Sequence, residues 1–257
     1  VRYKSPTRLI EEIHDALKLH PEIGSVNFMD DILLLREKWY SVFLNQYKQQ
    51  IQKSFTCNLR FEQVNPKMLS SAKAAGCVRF SVGLESGNDY IRNEVLRRNQ
   101  SRDMILKAGK LIQDSGINLS LYNMVGIPFE TPARALDTVK MNAALSADFI
   151  QVSIFYPYEQ TQLYDISKQH GFLSNKHLDN YFSDTILVLP DFPPDRIRLA
   201  HANFHAFVKY YRIAFSKRPI VRWVSERILD FLWVHPYFYQ SAIGPLTRFY
   251  SLIHKWI

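Results

Sequence analysis

An α/β fold around a parallel sheet is predicted for residues 1–165, followed by a helical region. Three observations predict it. Short β-rich apolar runs alternate with amphipathic helical stretches, the links between them are short, and Pro and Gly punctuate helix starts and stops. Strands separated by helices imply right-handed crossovers. The count of strands alone fits a doubly wound sheet as well as a barrel.

The elements follow in order. Residues 7–20 form a first helix, expected to follow a strand that these residues lack. "SVNFMDD" (25–31) reads as a strand ending in acids, and 35–51 as an amphipathic helix. "SFTCNLRF" (54–61) is β-rich. In "NPKMLSSAKAAG" (65–76), Asn65 caps a helix, Pro66 takes its first position and Gly76 ends it. "VRFSVGL" (78–84) is the next strand, and a helix follows over 101–113. "INLSLYNMV" (117–125) is a strand; Thr131 and Pro132 open the helix 131–147; "FIQVSIFY" (149–156) is the fifth strand. Beyond a connecting segment, 166–195, residues 196–257 read as helical. Candidates there are 195–215 and 220–234, the second with Ile220, Val224, Ile228, Phe231 and Leu232 on one face.

Composition narrows the function classes. The chain has 257 residues, 47% of them hydrophobic, enough for a large core. Its two cysteines, Cys57 and Cys77, make no disulfide scaffold, and a reducing, cytoplasmic setting is expected. No run reaches the ~18 apolar residues of a membrane span. The net charge of +8 lies wholly in residues 196–257, where ten Lys/Arg face only Glu226 and Asp230. That region also holds three of the four tryptophans. Residues 1–195 are neutral, so no basic track leads along the α/β region and no nucleic-acid partner is expected.

Ligands of parallel α/β proteins sit at the carboxyl ends of the strands. Those ends carry Asp30-Asp31, Arg60-Phe61-Glu62, Glu85-Ser86-Gly87, "NMVGIPFET" (123–131) and "FYPYEQT" (155–161). Each alone reads as an ordinary turn or helix start; Arg60 reads equally as a surface partner of Glu62, and Arg97-Arg98 as a solvated helix end. Their repetition points to a site. Carboxylates there suit an ammonium or ribose hydroxyls, and arginine suits a carboxylate.

Taken in order, "FMDD" (28–31), "NLRFEQVNPKMLSSAKAAGC" (58–77), "FSVGLESGNDYIRNEVLRR" (80–98), "GINLSLYNMVGIPFET" (116–131) and "FYPYEQTQLY" (155–164) resemble the radical S-adenosylmethionine (radical SAM) superfamily. The likeness is to the group with an upstream cobalamin-binding domain. It implies a partial (β/α)6 TIM-like barrel missing its first strand, followed by an α-helical C-terminal region. It also implies S-adenosylmethionine across the strand ends. By resemblance Glu85 lies beside that ligand and Arg97 meets its carboxylate. Arg60, Asp30, Asp31 and Ser86 join the lining, and Gly126 lets backbone approach the adenosyl group.

The family reaction implied is reductive cleavage of S-adenosylmethionine to a 5′-deoxyadenosyl radical, with an electron donor and a small-molecule substrate. Three departures stand out. Phe129 replaces a family glycine in Gly-x-Pro-Gly-Glu-Thr, and Glu159-Gln160 replace the Pro-Gly of a later segment. The Cys-x3-Cys-x2-Cys loop that holds the [4Fe–4S] cluster is missing. Its place would precede Val1, truncation is expected over degeneration, and the chain as given is expected to be inactive. Two rivals stay open: a non-catalytic, cluster-less barrel that binds a partner or adenosyl ligand, and an unrelated barrel enzyme with a phosphate-bearing substrate.

The basic, aromatic residues 218–257 have two readings. One is a helical cap with its aromatics packed inward. The other is a seat on an anionic membrane surface, peripheral in location and suited to a lipid-like substrate. His201 and His205 share a helix face but lack a third ligand, and read as helix histidines rather than a metal pair.

Overall fold

The structure, a computed structural model, describes residues 4–176 and 184–242. Five strands form one sheet in the order β1-β2-β3-β4-β5, each beside its sequence neighbour. A doubly wound sheet needs a reversal of strand order. Its absence decides for the barrel-type winding.

The chain divides into two compact units. The first comprises residues 1–84, 100–122 and 147–151. It contains α1 (Pro6–Leu19), β1 (Ser25–Phe28), α2 (Glu37–Gln50), β2 (Ser54–Leu59), α3 (Pro66–Ala74), most of β3 (Cys77–Glu85), α4 (Arg102–Asp114) and the start of β4 (Asn118–Val125) and of β5 (Phe149–Ile154). β1 and β2 run parallel with Ser25 opposite Ser54 and Phe28 opposite Cys57. β2 pairs parallel with β3, slipping register between Phe55 and Thr56. Strict alternation in β2 buries Phe55, Cys57 and Leu59. Phe28, Phe43, Tyr47 and Phe55 then close a ring cluster, with centroids 4.9 Å apart for Tyr47 and Phe55 and 5.5 Å for Phe28 and Phe43. Burying each such ring stabilises the fold by about 2–3 kcal/mol.

The helix starts read from the sequence are present. The Asn65 side chain accepts from the Met68 N–H at 2.9 Å, and Thr131 from Arg134 at 3.2 Å. Gly76 leaves α3 at φ +99°, a conformation that favours glycine. β1 stops at Phe28, shorter than the 25–31 expected, so Asp30 and Asp31 lie in the bend beyond it.

The second unit comprises residues 85–99, 123–146 and 152–257. It holds a π-helical turn (Ile91–Val95), α5 (Pro132–Leu145), α6 (Gln162–Gln169), α7 (Pro194–Phe215), α8 (Pro219–Val234) and α9 (Pro236–Ala242). α7 buries Ile197, Phe204, Val208 and Tyr211 at helical spacing. Asp230 of α8 ties three helices together: it accepts from the Tyr211 hydroxyl at 2.5 Å and pairs with Lys140 of α5 at 2.7 Å. Trp233 donates its indole N–H to the Pro132 carbonyl at 2.8 Å. His201 meets the Val152 carbonyl at 3.1 Å and His205 is exposed, and among the described residues no cluster of three metal-ligating side chains occurs. Of the basic, aromatic tail, residues 243–257, with Arg248, Lys255 and Trp256, lie outside the described residues.

Gly87 makes the tightest contact among the described glycines. A Cβ placed there would sit 2.4 Å from the Asp137 carbonyl oxygen and 2.7 Å from the Thr138 Cα, both in α5 backbone that cannot swing away. Gly24 has no atom within 4 Å of the same position. Gly87→Ala should therefore cost ~3 kcal/mol in urea unfolding, as overpacking does, while Gly24→Ala leaves the midpoint nearly unchanged.

Candidate functional site at the strand ends

β3 carries its apolar alternation up to Leu84 and then ends in Glu85, whose φ is +60°. A non-glycine residue in this left-handed region bears a cost of ~1–2 kcal/mol. Arg97 (φ +54°) and Asn99 (φ +53°) share it. Such strain collects where a site dictates backbone direction.

The next two residues lock this end in place. Ser86 is fully buried, and its hydroxyl lies 3.4 Å from that of Thr138 and accepts from the Asn88 N–H at 3.2 Å. The Gly87 N–H donates to the Thr138 hydroxyl at 2.9 Å, and the Asn88 amide donates to Asp137 at 2.7 Å. Arg92, the largest fully buried side chain, donates to the Ser86 carbonyl at 3.2 Å and pairs with Asp89. The Ser86 hydroxyl thus serves α5 and its own turn.

Glu85 points its carboxylate at Arg98, 3.4 Å away, with both side chains about four-fifths buried. Burial raises the Glu85 carboxyl above its ordinary value, and the Arg98 charge opposes that rise. Arg98 is the cation beside Glu85, while Arg97, expected to meet the ligand's carboxylate, is exposed. The adjacent pair carried no signal to say which would turn inward.

At the end of β4 a second carboxylate organises a loop. Glu130 is 1% exposed, and one oxygen accepts from the N–H of Gly126 at 2.6 Å and of Ile127 at 3.4 Å. Its other oxygen has no hydrogen-bond partner. Burial pushes the carboxyl up to about 8, against the two backbone N–H groups and the Arg134 charge. Gly126 (φ +80°) is close to a neighbour, but that neighbour is protein: a Cβ there would lie 2.9 Å from the Ile197 side chain of α7.

Both substitutions of family glycines keep the glycine-like backbone. Phe129 has φ +65°, with its ring 4.9 Å from that of His170 and 5.4 Å from Phe172. Gln160 also has φ +65°. At Phe129 ring packing offsets the strain of that backbone.

In the first unit, Asp30 and Asp31 are exposed, and the Asp30 carbonyl accepts from Asn58 at 2.9 Å. Arg60 is exposed and pairs with Glu62 at 2.9 Å, while Glu62 also accepts from the buried Gln100 at 2.8 Å. The structure thus gives Arg60 the surface pairing, worth at most ~1 kcal/mol.

A family model described as "Radical SAM superfamily" matches residues 1–141, more than half of the chain. The chain belongs to the radical SAM superfamily. The unrelated phosphate-binding barrel is thereby excluded. Among solved structures, the radical SAM methyltransferase TsrM from Kitasatospora setae, with cobalamin and a [4Fe–4S] cluster bound, is 16% identical with a TM-score of 0.54, over 67% of this chain and 37% of TsrM. TsrM has also been solved with tryptophan substrate and a SAM analogue. The cobalamin-dependent radical enzyme OxsB matches over 98% of this chain and 47% of its own, at 13% identity and a TM-score of 0.61. Coproporphyrinogen III oxidase (HemN) from Escherichia coli is 15% identical, with a TM-score of 0.51, over 81% and 47%. At these identities the likeness is one of fold, and the chain spans less than half the length of these enzymes. No curated protein sequence matches it.

The Glu130 carboxyl makes stability depend on pH. Its folded value, about 8, lies above the ordinary 4.5, so its favourable contribution is complete below 4.5 and lost as pH rises through 8. Urea unfolding should show the radical SAM chain weakening between pH 4.5 and 8. Glu130→Gln, which mimics the protonated form, should remove most of that fall while matching the native chain at pH 4.

Proposed function

We propose that this chain is the S-adenosylmethionine-holding part of a radical SAM enzyme acting on a small molecule. The observation that carries the proposal is Glu85, a largely buried carboxylate on strained backbone at a strand end, met by Arg98 at only 3.4 Å. A desolvated carboxylate with acceptor capacity left favours an added cation. The ammonium of the methionyl group fits that need, and the exposed Arg97 guanidinium fits its carboxylate bidentately. Bound S-adenosylmethionine would supply the 5′-deoxyadenosyl group for radical chemistry. The chain's own part is to hold and orient it. Glu85 holds the ammonium, Arg98 opposes the rise that burial gives the Glu85 carboxyl, and the Ser86–Gly87 lock keeps both in position.

The [4Fe–4S] cluster does not fit the residues present. Cys57 and Cys77 are both buried in strands, and burial together with each other's proximity holds the Cys57 thiol well above its ordinary value. A thiol so disposed resists becoming the thiolate that iron requires. The cluster, and the cobalamin held by TsrM and OxsB, would be met by residues outside these 257, as would the electron donor. A lipid-like substrate remains the reading that the basic tail supports. The buried cysteines equally favour a second reading, a cluster-less barrel that binds an adenosyl ligand without radical chemistry.

Calorimetric titration separates these points. The 257-residue chain should bind S-adenosylmethionine, and Glu85→Gln should weaken binding by about 10-fold or more, as loss of a charge-assisted hydrogen bond does. Anaerobic incubation with iron and sulfide should leave it without cluster absorbance. Cluster assembly on this chain would refute the assignment of the thiolates elsewhere; undiminished binding by Glu85→Gln would refute the site.

A further inference from the structure

The outer face of α8 is unlike any other helix face of its unit. Ile220, Trp223, Val224, Ile228 and Phe231 recur at helical spacing, and all five are exposed, Ile220 by 80% and Trp223 by 62%. Only Leu232 and Trp233 of this helix are fully buried. The stripe runs on into α9, where exposed Phe238 meets Phe231 edge-on at 5.9 Å. A contiguous apolar surface of this kind marks an interaction site.

The charges around it decide what it meets. Arg227 lies within the stripe, 5.7 Å from the Trp223 ring centre, and Arg218 and Lys217 stand at its start. The two acids of residues 196–257 are both engaged: Glu226 with Arg222 at 2.6 Å, Asp230 with Lys140 and Tyr211. The apolar stripe is therefore bordered by positive charge without an acidic counterpart. A second copy would bring the same arginines to a self-complementary contact and repel. Tryptophan and phenylalanine beside arginine, on a helix lying flat, match the interface of a bilayer with anionic headgroups. Among the described residues no helix is long and apolar enough to cross a membrane, and at ~24 Å a helix of this length suits the plane of the interface.

We propose that the outer face of α8 and α9 is a seat for an anionic lipid bilayer, with Ile220, Trp223, Ile228 and Phe231 in the interfacial layer and Arg218 and Arg227 on the headgroups. This seat stands independently of the chemistry assigned to Glu85.

Vesicle flotation tests it. The chain should float with phosphatidylcholine–phosphatidylglycerol vesicles and stay behind with phosphatidylcholine alone. Each of Arg218→Gln and Arg227→Gln should lower the partition coefficient about fivefold, and both together about 25-fold. Trp223→Ser with Ile228→Ser should abolish flotation. All four positions are exposed, so circular dichroism and the thermal midpoint should be unchanged, which separates lost binding from lost folding. Equal flotation with both vesicle types, or none with either, overturns the proposal. If flotation fails and sedimentation shows a dimer that Ile228→Ser dissolves, the face belongs to a second copy. If it fails and the chain stays monomeric, the face meets neither a bilayer nor a second copy.

Discussion

The candidate site depends on one backbone contact. Where β3 ends, Gly87 lies against the Asp137–Thr138 backbone so closely that no side chain fits between them. Everything around it is arranged by that closeness. The Thr138 hydroxyl reaches the Gly87 amide, the Asn88 amide reaches Asp137, and the Arg92 guanidinium fills the interior beneath, satisfied by the Ser86 carbonyl and Asp89. With the strand end so fixed, Glu85 is held in a left-handed conformation it would not otherwise adopt, beside Arg98. Strain at the Glu85 carboxylate is thus sustained by packing elsewhere.

The same division between support and exposure shapes the C-terminal helices. α8 is held by few anchors, the Trp233 indole on the Pro132 carbonyl and the Asp230 link to Tyr211 and Lys140. These lie on its inner side, and so leave a full apolar stripe outside. In the radical SAM enzyme proposed here, one strand end would grip the cofactor while an outer helix face meets a surface. The two depend on different residues.

Much of this was legible in the sequence. Asn65, Thr131 and the prolines after them announced helix starts because a cap is a local interaction, and the β-rich run "SFTCNLRF" announced a strand. The order of motifs was enough for the family. Less local facts were hidden. The contact of Ser86 with Thr138, 52 residues on, is one of them. Arg97 and Arg98 are adjacent, and only the backbone twist decides which turns toward Glu85. Periodicity in α8 marked a face, but the period of a helix does not say what covers that face. Glu130 carried no reading of its own, since burial of a carboxylate has no sequence signature. Phe129 and Gln160 show the converse: a substituted glycine can leave the left-handed backbone intact.

The central claim is that the end of β3 is locked to α5, and amide hydrogen exchange at Gly87 tests it most directly. The Gly87 N–H is buried and donates to the Thr138 hydroxyl. It should exchange only on global unfolding, as slowly as core strand amides, and Thr138→Val should speed it markedly. Exchange as fast as an exposed loop amide in the native chain would contradict the account.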